Sequence, residues 1–558
     1  MFKKALDTKA LVFFIVLVGF LLRVVFIDQI PPSLNWDEVS HGYNAYSILK
    51  SGMDEWGVKF PAIFRAYGDY KLPVYIYLTA VSEFFLGLTP LAVRLTSTLA
   101  GTITILFTFL LAKKLFGEKV GLLSAFFVAV EPWSFFLSRG AFEANLALAF
   151  IISGFYFFLK GIKESKYLIL SSFLLGVSVW TYNSARVFVP LMLLATTIIN
   201  WKERGLWKKA RTHFLIAGAL GLVLFVPMFY QLLNPAGQAR YSKVAIIDEG
   251  AVAQINEKRA GSSLSPTLER VIYNKGTYFA ARFARNWISH FSLEFLVSKG
   301  GSNYQFSLPN HGLIYSVNAI FFLAGLIFLA RRKTLESTFV LAWLFLSPIA
   351  SSLTREAPHA LRAITMLPIP MIVSSLGVIN GFSWLKKRSS VAFMTGLIVY
   401  IFLLFFLGEN YFKRYFFDYP SEYSWSWQYG YREAVDYVKT RYSDFDKIIV
   451  TKKYGEPHEF FLFYLNWEPK KYRQDPKLIR FEQSGWFWVD GFDKFYFVND
   501  WDIPKIGTNF VLESKGKVDC SKSTCLLVTS PENKPSGWQK LETINFLDGR
   551  GTFEIYEN

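Results

Sequence analysis

Charged residues are scarce in this chain and make up only 18% of its 558 residues. An average soluble domain has about 25%. Hydrophobic residue types reach 52% and aromatic residues 18%. These values exclude a disordered protein, which is rich in charge and poor in aromatic side chains. They also exclude a coiled coil and an ordinary soluble enzyme, so the composition favours a polytopic membrane protein.

Sequence motifs of several common chemistries are absent as well. The chain has no Gly-x-x-x-x-Gly-Lys-Ser/Thr loop, no His-Glu-x-x-His or Cys-x-x-Cys pair and no Gly-x-Ser-x-Gly elbow. These absences argue against P-loop, zinc-hydrolase and serine-hydrolase chemistry. The sequence indicates no cofactor and no metal site, and it does not exclude a divalent metal. Asp500-Trp501-Asp502 is an Asp-x-Asp triplet, which we interpret as a turn because it follows a predicted strand.

The net charge of +17 lies almost entirely in short basic clusters before residue 409. Each cluster begins or ends an apolar run, as the positive-inside rule expects of cytoplasmic loops. A nucleic-acid interface would instead gather this charge on one face of a folded domain. The clusters are Lys3/Lys4/Lys9, Lys113/Lys114/Lys119, Lys160/Lys163/Lys166, Lys202/Arg204/Lys208/Lys209/Arg211, Arg331/Arg332/Lys333 and Lys386/Lys387/Arg388.

With these clusters held inside, the sequence predicts about eleven membrane-spanning helices, since roughly 20 apolar residues cross a bilayer. The N-terminus is then inside and the C-terminus outside. We interpret the first run as a retained helix, because no small-residue cleavage site follows it. The predicted spans are 10–27, 91–112, 120–137, 144–160, 167–182, 187–200, 212–230, 312–330, 337–352, 363–384 and 389–408.

The apolar segment 73–88 is short for a span, at ~24 Å as a helix, and it contains Glu83. We predict that it lies flat on the outer membrane surface as an amphipathic helix. Residues 1–408 then form the membrane domain, with outer loops over 28–90, 138–143 and 231–311. Residues 409–558 form an extracytoplasmic domain.

The segment 409–558 is long enough for a hydrophobic core of its own. Helices are predicted over 430–441 and 456–464, and strands over 447–451, 494–498, 509–513 and 552–556. This alternation indicates an α/β or α+β domain. The two cysteines of the chain, Cys520 and Cys525, both lie here. We predict a disulfide between them, which suits an oxidising compartment, and two buried thiols are the alternative.

The first outer loop places two adjacent carboxylates, Asp37 and Glu38, close to the membrane surface. Crowded carboxylates that lose water hold a proton more tightly and can serve as general bases. The alternative is a helix N-terminus, in which Asp37 is the N-cap and Glu38 complements the helix dipole. Further along, Lys71 opens the interfacial helix at the depth of lipid headgroups, where it can bind a phosphate or anchor to anionic lipid.

Arginines and a histidine recur at the predicted outer ends of several spans. Arg139 and Glu143 lie in the second outer loop, Arg186 between the fifth and sixth spans, and His359 and Arg362 between the ninth and tenth. Arginine can bind phosphate through two parallel hydrogen bonds. We therefore predict a shared phosphate site on the outer face, and scattered lipid anchors are the alternative.

The ordered set of motifs resembles integral-membrane GT-C glycosyltransferases, in the superfamily of protein O-mannosyltransferases and bacterial aminoarabinose transferases. The similarity is good over residues 20–200 and looser over 267–384. The motifs are Asp37-Glu38, the stretch from Asn44 to Gly52, Gly68-Asp69-Tyr70-Lys71-Leu72-Pro73, Ala92-Val93-Arg94-Leu95 and Lys113-Lys114-Leu115-Phe116-Gly117.

This resemblance implies an inverting enzyme that transfers a sugar from a polyprenyl phosphate, of undecaprenyl or dolichyl type, at the outer membrane face. It implies that Asp37 is the base on the acceptor and that Glu38 assists or positions it. Lys71 matches a lysine that contacts the donor phosphate, although the usual Lys-Pro-Pro is Lys-Leu-Pro here.

The resemblance extends less closely to the later outer loops. Arg139 and Glu143 fall where the family has charged site residues, and His359 and Arg362 resemble a His-x-x-Arg outer motif. From these positions we expect Glu143 to be a further catalytic carboxylate. We expect the donor phosphate to contact Arg139, Arg186, His359 and Arg362.

The alternatives are a flippase or transporter for lipid-linked saccharides, a polysaccharide polymerase and a catalytically inactive membrane scaffold. A transporter needs charges at the midplane and on both faces, whereas the candidate charges here cluster outside. The chain has no Asn-x-Ser/Thr sequon, which favours a prokaryotic plasma membrane. The predicted partners are the lipid-linked donor, membrane lipids and an acceptor that the sequence does not identify, without nucleic acid.

Overall fold

A computed structural model describes residues 7–200, 211–234 and 243–558 of the chain. Lys3, Lys4, residues 202–209 of the fourth basic cluster and residues 235–242 of the predicted long outer loop lie outside this description. Helices predominate up to residue 440 and strands after it.

The α-helices in the described ranges have the following bounds: Thr8–Val24, Trp36–Ser51, Pro73–Leu86, Pro90–Phe116, Glu118–Val130, Pro132–Leu137, Glu143–Gly161, Tyr167–Val179, Asn183–Ile199, Arg211–Gln231, Glu249–Ala260, Pro266–Ile272, Lys275–Ser289, Ser316–Arg332, Leu335–Leu346, Ile349–Ser352, Ile369–Arg388, Ser390–Lys413, Tyr419–Tyr423, Tyr431–Thr440, Pro457–Tyr464 and Pro469–Arg473.

Six helical segments in the described part of the chain are long and apolar enough to cross a membrane. They are Pro90–Phe116, Glu143–Gly161, Arg211–Gln231, Leu335–Ser352, Ile364–Arg388 and Ser390–Trp427. The helical membrane-protein class predicted from composition is thereby supported, while the count of eleven spans and their orientation stay predictions. The predicted interfacial segment 73–88 forms the shorter apolar helix Pro73–Leu86.

The chain packs as two compact units. The first unit comprises Met1–Arg23, Ser97–Ser138 and Phe142–Phe412 and contains most of the long apolar helices. The second unit comprises Val24–Thr96, Arg139–Ala141 and Lys413–Asn558. The predicted first outer loop and the C-terminal segment thus belong to one compact unit, although more than 300 residues separate them along the chain.

Two helices of the first unit approach each other through glycines. A Cβ atom added to Gly377 would lie 1.8 Å from the carbonyl oxygen of Phe321, and one added to Gly325 would lie 2.0 Å from that of Val373. The helices Ser316–Arg332 and Ile369–Arg388 are therefore in backbone contact at both places. Small residues that allow such close approach are a main source of helix association in lipid.

The second unit contains a seven-stranded mixed sheet in the order β10-β11-β9-β3-β6-β5-β4. Strand β3 is parallel to β6 and β9, and the other pairs are antiparallel. The pairs β1–β2 and β7–β8 are separate two-stranded sheets. The strands are β1 (Phe64–Ala66), β2 (Asp69–Lys71), β3 (Lys447–Thr451), β4 (Ile479–Gln483), β5 (Trp486–Phe492), β6 (Phe495–Val498), β7 (Asn509–Val511), β8 (Lys517–Asp519), β9 (Cys525–Thr529), β10 (Gln539–Asn545) and β11 (Gly551–Glu557).

The helices and strands predicted for residues 409–558 are present, with ends shifted by at most two residues. Strands β4, β5, β8, β9 and β10 are additional. Strand β10 is an edge strand whose residues are mostly exposed, so it lacks the alternating pattern by which a half-buried strand is recognised. The Asp500–Asp502 triplet forms a 3-10 turn, as interpreted from the sequence.

Cys520 and Cys525 form a disulfide, with their Cα atoms 6.0 Å apart. Both cysteines are buried in a cluster with Ile449, Leu527 and Trp538. The bridge therefore closes the β8–β9 connection against the core of the sheet.

Gly377→Ala is expected to lower the midpoint of thermal unfolding in detergent, because the added methyl group meets the backbone of Phe321. Overpacking of this kind costs about 1–3 kcal/mol. The matched control is Gly218→Ala in another apolar helix, where no atom lies within 4 Å of the added Cβ. Equal unfolding midpoints for the two variants would contradict the close helix crossing.

Candidate active site around Asp37 and Lys71

Helix Trp36–Ser51 begins with a capping box. The Asn35 side chain accepts a hydrogen bond from the Glu38 N–H at 3.0 Å, and the Glu38 carboxylate accepts one from the Asn35 N–H at 3.1 Å. This arrangement satisfies backbone donors that the start of a helix leaves unpaired. The alternative in which Asp37 is the N-cap is therefore wrong, and Asp37 instead occupies the second helical position.

Glu38 forms a buried ion pair with Arg94. The guanidinium donates from Nε and Nη2 to the two carboxylate oxygens, each at 2.9 Å. The side chains are 1% and 0% exposed, respectively. The N–H of Ala141 also donates to Glu38 Oε1 at 2.8 Å. Paired and hydrogen-bonded on both oxygens, Glu38 is a structural anchor.

The same arginine fixes the backbone that leads into the helix. Arg94 Nη1 donates to the carbonyl oxygens of Ile27 at 2.8 Å and Pro31 at 2.9 Å, and Nη2 donates to that of Ser33. The ring centroid of Trp427 lies 5.6 Å from the guanidinium carbon. All three ends of the guanidinium are thus held, and segment 27–33 is tied to the start of helix Pro90–Phe116.

Asp37 lies beside Lys71, the last residue of the β1–β2 hairpin. Lys71 Nζ is 3.1 Å from Asp37 Oδ1, and it donates to the backbone oxygen of Asp37, also at 3.1 Å. It lies 5.3 Å from the ring centroid of Tyr67. The Lys71 side chain is 8% exposed, whereas that of Asp37 is 55% exposed. A carboxylate accessible to a ligand is thus held in place by a largely buried ammonium group.

Residues of the C-terminal segment complete the surroundings of this pair. Gln428 Oε1 accepts a hydrogen bond from the N–H of Trp36 at 2.7 Å. The Tyr67 hydroxyl donates to the Trp36 carbonyl oxygen at 2.7 Å, and the Tyr67 ring stacks on that of Trp486. Gln428 and Trp486 could not be predicted from the sequence, because no local motif signals a contact across some 400 residues.

Arg139 is completely buried within the second unit. Its Nη2 donates to the backbone oxygens of Val25 at 2.7 Å and Ile30 at 2.8 Å, and its Nε donates to the Tyr415 hydroxyl at 3.1 Å. The guanidinium group therefore forms its hydrogen bonds with groups of the protein itself. This geometry suits a residue that holds segment 25–30 and gives no support to the predicted donor-phosphate contact.

His359 and Arg362 lie next to each other in the first unit. The N–H of Arg362 donates to His359 Nδ1 at 3.2 Å. The Arg362 guanidinium pairs with Glu356 at 3.0 Å and donates to the Thr354 hydroxyl at 3.1 Å. The Ser184 hydroxyl donates to the Arg362 carbonyl oxygen at 2.9 Å. This bond joins the loop to the helix Asn183–Ile199 that carries Arg186.

Glu143 and Arg186 each lie at the start of an apolar helix of the first unit, and both are half-buried. Arg186 Nε donates to the carbonyl oxygen of Val179 at a long 3.4 Å. The ring of Phe306 contacts those of Phe142 and His359 at centroid distances of 5.5 and 5.2 Å. The first unit therefore brings together the segments around residues 143, 186 and 359–362. The second unit brings together Asp37, Glu38 and Lys71.

The profile of the family described as dolichyl-phosphate-mannose-protein mannosyltransferase matches residues 71–230 of the chain. The matched stretch begins at Lys71. No curated protein sequence matches the chain significantly.

Solved structures share the fold at low sequence identity. ArnT from Cupriavidus metallidurans in the apo state is 13% identical, with 98% of each chain covered and a TM-score of 0.55. The same protein bound to undecaprenyl phosphate is 12% identical, again with a TM-score of 0.55, over 98% of this chain and 97% of that one. The predicted resemblance to GT-C membrane glycosyltransferases is confirmed.

An archaeal oligosaccharyltransferase is similar over part of its length. It is AglB from Archaeoglobus fulgidus, in complex with an inhibitory peptide and a dolichol-phosphate, at 12% identity and a TM-score of 0.52. The match covers 83% of this chain and 64% of AglB. The chain is thus shorter than that enzyme, with which it shares the fold.

Arg94→Ala is expected to destabilise the protein by about 3–5 kcal/mol, because it leaves the buried Glu38 carboxylate without its cation. The measurement is the midpoint of thermal unfolding in detergent, together with the yield of folded protein. Arg432→Ala is the control, since Arg432 and Asp436 form a pair that is more than half exposed and such pairs contribute little. Equal stability of the two variants would show that the Glu38–Arg94 pair does not contribute to the free energy of unfolding.

Proposed function

We propose that the chain is an inverting glycosyltransferase that moves a sugar from a polyprenyl phosphate to a nucleophile on a protein, lipid or glycan acceptor. The observation that carries the proposal is the pairing of the exposed Asp37 carboxylate with the buried Lys71 ammonium group. This pair lies in a fold shared with ArnT and AglB, whose solved complexes contain undecaprenyl phosphate and a dolichol-phosphate.

Asp37 is the proposed general base. It accepts the proton of the acceptor hydroxyl while the acceptor oxygen attacks the anomeric carbon from the face opposite the phosphate. The bond between that carbon and the phosphate oxygen breaks, and its electron pair leaves on the lipid phosphate. Attack from the opposite face inverts the anomeric configuration. The leaving phosphate is stable as an anion, so the reaction requires no general acid.

Lys71 is the proposed contact for the donor phosphate. Negative charge develops on this phosphate as the bond breaks, and a fixed cation stabilises it most effectively where water is excluded. Lys71 Nζ is already hydrogen-bonded to Asp37. A bound phosphate therefore competes with Asp37 for the Lys71 ammonium group. The ion pair weakens, and the Asp37 carboxylate becomes available to the acceptor.

Glu38 and Arg139 receive positioning roles in this proposal. Glu38 holds the start of the helix that carries Asp37 through its contacts with Arg94 and the Asn35 N–H. Arg139 holds the backbone carbonyls of Val25 and Ile30. Substitution of either residue acts on the reaction by displacing Asp37.

For the first unit we retain the predicted roles of its polar residues. Arg186, His359 and Arg362 are proposed contacts for the donor phosphate, and Glu143 is a proposed second acidic residue of the reaction. Their support is the convergence of three loop segments through Ser184 and Phe306. In the structure Arg362 pairs with the exposed Glu356, and a bound phosphate can take the place of that carboxylate.

We further propose that the chemistry takes place on the extracytoplasmic side of a prokaryotic plasma membrane. In this arrangement residues 1–408 form the membrane domain with the N-terminus inside, and residues 409–558 form an outer domain. The basic clusters at the predicted inner ends of the spans and the disulfide in the outer domain support this orientation.

Asp37→Asn is expected to lower the rate of sugar transfer about 10²–10⁴-fold, the usual contribution of a general base, while donor binding is retained. The assay uses purified protein in liposomes, radiolabelled polyprenyl-phosphate sugars and a membrane extract as acceptor source. Asp28→Asn is the matched control, an exposed aspartate of the same loop. Full activity in Asp37→Asn would remove Asp37 from the chemistry, and donor binding without transfer by the wild type would favour a flippase.

Lys71→Met is expected to weaken donor binding about 10–100-fold, since a hydrogen bond to a charged group contributes about 1.5–3 kcal/mol. The methionine keeps the length of the buried stem and removes the charge. Binding is measured by titration with the polyprenyl-phosphate sugar in detergent. Lys59→Met, an exposed lysine of the same loop, is expected to bind as the wild type does. A donor affinity unchanged in Lys71→Met would refute the phosphate contact.

A further inference from the structure

A second group of chemically capable side chains lies inside the second unit, and it neighbours the Asp37–Lys71 pair because the charge of Lys71 acts on Glu459. It consists of Glu55, which follows helix Trp36–Ser51, and of His458 and Glu459 in the first turn of helix Pro457–Tyr464. The three residues are only 2%, 3% and 1% exposed. One carboxylate or imidazole atom from each lies within 4.8 Å of the others. Two acidic residues and a histidine from distant parts of the chain thus converge in the interior.

Two polar atoms of this group lack a hydrogen-bond partner although they are buried: Nδ1 of His458 and Oε2 of Glu459. The nearest acidic group to His458 Nδ1 is Glu456, whose Oε2 is 3.6 Å away, beyond normal hydrogen-bond distance. A buried polar atom left unpaired costs about 1–3 kcal/mol, and more if it is charged. Glu459, whose Oε2 is unpaired, belongs to a group whose ligand atoms lie within 4.8 Å of one another, and this combination indicates a ligand that the group is built to hold.

The charges of the group identify the kind of ligand. His458 offers an imidazole nitrogen as a ligand atom, and a neutral imidazole can donate a lone pair to a metal ion. Glu55 and Glu459 contribute two carboxylates that repel each other. A neutral imidazole and two carboxylates are a ligand set for a divalent transition metal, with one ligand position left to water.

We propose that Glu55, His458 and Glu459 bind one divalent transition-metal ion, with Zn²⁺ as the best candidate. Metal-to-ligand distances of about 2.0–2.2 Å place tetrahedral ligand atoms roughly 3.4 Å apart. His458 Nε2 and Glu459 Oε1 are 3.9 Å apart, so a small inward movement of the side chains is sufficient. The divalent charge neutralises the two carboxylates.

Glu456 is the positioning residue of this site. With His458 bound to the metal through Nε2, its Nδ1–H faces the Oε2 of Glu456. The other oxygen of Glu456 accepts a hydrogen bond from the Trp486 indole at 2.7 Å. Ligating histidines usually donate their second ring N–H to a carboxylate, which fixes the tautomer. Here Glu456 Oε2 lies 3.6 Å from an Nδ1 that has no hydrogen-bond partner, so a small movement of either side chain would form this bond.

The metal would connect the C-terminal segment to the helix that carries Asp37. The side chain of Asn44 in that helix donates to Glu55 Oε1 at 2.9 Å and accepts a hydrogen bond from the Glu55 N–H at 3.1 Å. Asn44 of helix Trp36–Ser51 holds Glu55, and His458 and Glu459 belong to helix Pro457–Tyr464. A metal ion bound by Glu55, His458 and Glu459 therefore links the two helices. Its role is structural, and it does not depend on the proposed transferase reaction.

The test is the metal content of full-length protein purified in detergent, stripped with EDTA and then dialysed against low-micromolar Zn²⁺. We expect one tightly bound Zn²⁺ per chain for the wild type by elemental mass spectrometry. Glu459→Gln and His458→Gln are each expected to lower the affinity at least 100-fold. Glu456→Gln is expected to lower it about 10–100-fold, the usual effect of losing the partner of a ligating histidine.

Glu433→Gln is the matched control, because Glu433 also has a buried carboxylate oxygen without a hydrogen-bond partner in the same unit but belongs to no metal-ligand group among the described residues. It is expected to bind one Zn²⁺ as the wild type does. Co²⁺ substitution provides a measurement on the wild type alone, since a tetrahedral nitrogen and oxygen site gives intense visible absorption bands. A wild type that retains no metal and shows no Co²⁺ bands would overturn the proposal and favour a proton shared between Glu55 and Glu459.

Discussion

The buried ion pair between Glu38 and Arg94 is the constraint on which the second unit depends. Both charges are removed from water, and such a pair is tolerated only when geometry and further hydrogen bonds compensate for desolvation. Here the two parallel hydrogen bonds at 2.9 Å meet that requirement. The remaining donors of Arg94 bind three carbonyl oxygens of segment 27–33. As a result, one arginine determines where helix Trp36–Ser51 begins and where Asp37 is placed.

Burial, more than residue type, separates the roles of the charged residues. Arg94 and Arg139 are fully buried and donate to backbone carbonyl oxygens, so they support the backbone. Lys71 is nearly as buried, but its partner Asp37 is exposed. The proposed role of this pair in the reaction rests on that asymmetry, in which a fixed cation contacts a carboxylate that a ligand can reach. The positions of arginines in the sequence alone do not show which of them bind phosphate and which of them hold the backbone.

The membrane class, the short helix Pro73–Leu86 and six of the C-terminal helices and strands could be predicted because their signals are local, and the interfacial position of that helix stays a prediction. Apolar runs, basic flanks and alternating strands are each contained within about 20 residues. The alternative that made Asp37 the N-cap is wrong because Asn35 takes this position. Both residue types cap helices well, and spacing alone does not choose between them. Gln428 at Trp36 and His458 near Glu55 could not be predicted, since these contacts join segments about 400 residues apart.

The composition of the second unit also has a consequence for biosynthesis. Segment 24–96 leaves the ribosome long before segment 413–558, with which it forms one compact unit. At a synthesis rate of about 5–20 residues per second, Trp36 waits roughly 20–80 s for Gln428. During this interval the apolar surfaces of segment 24–96 lack their contacts with the C-terminal segment. The membrane surface or a chaperone must shield them from water. Synthesis and packing of the C-terminal segment therefore set the earliest time at which a new molecule can complete its second unit.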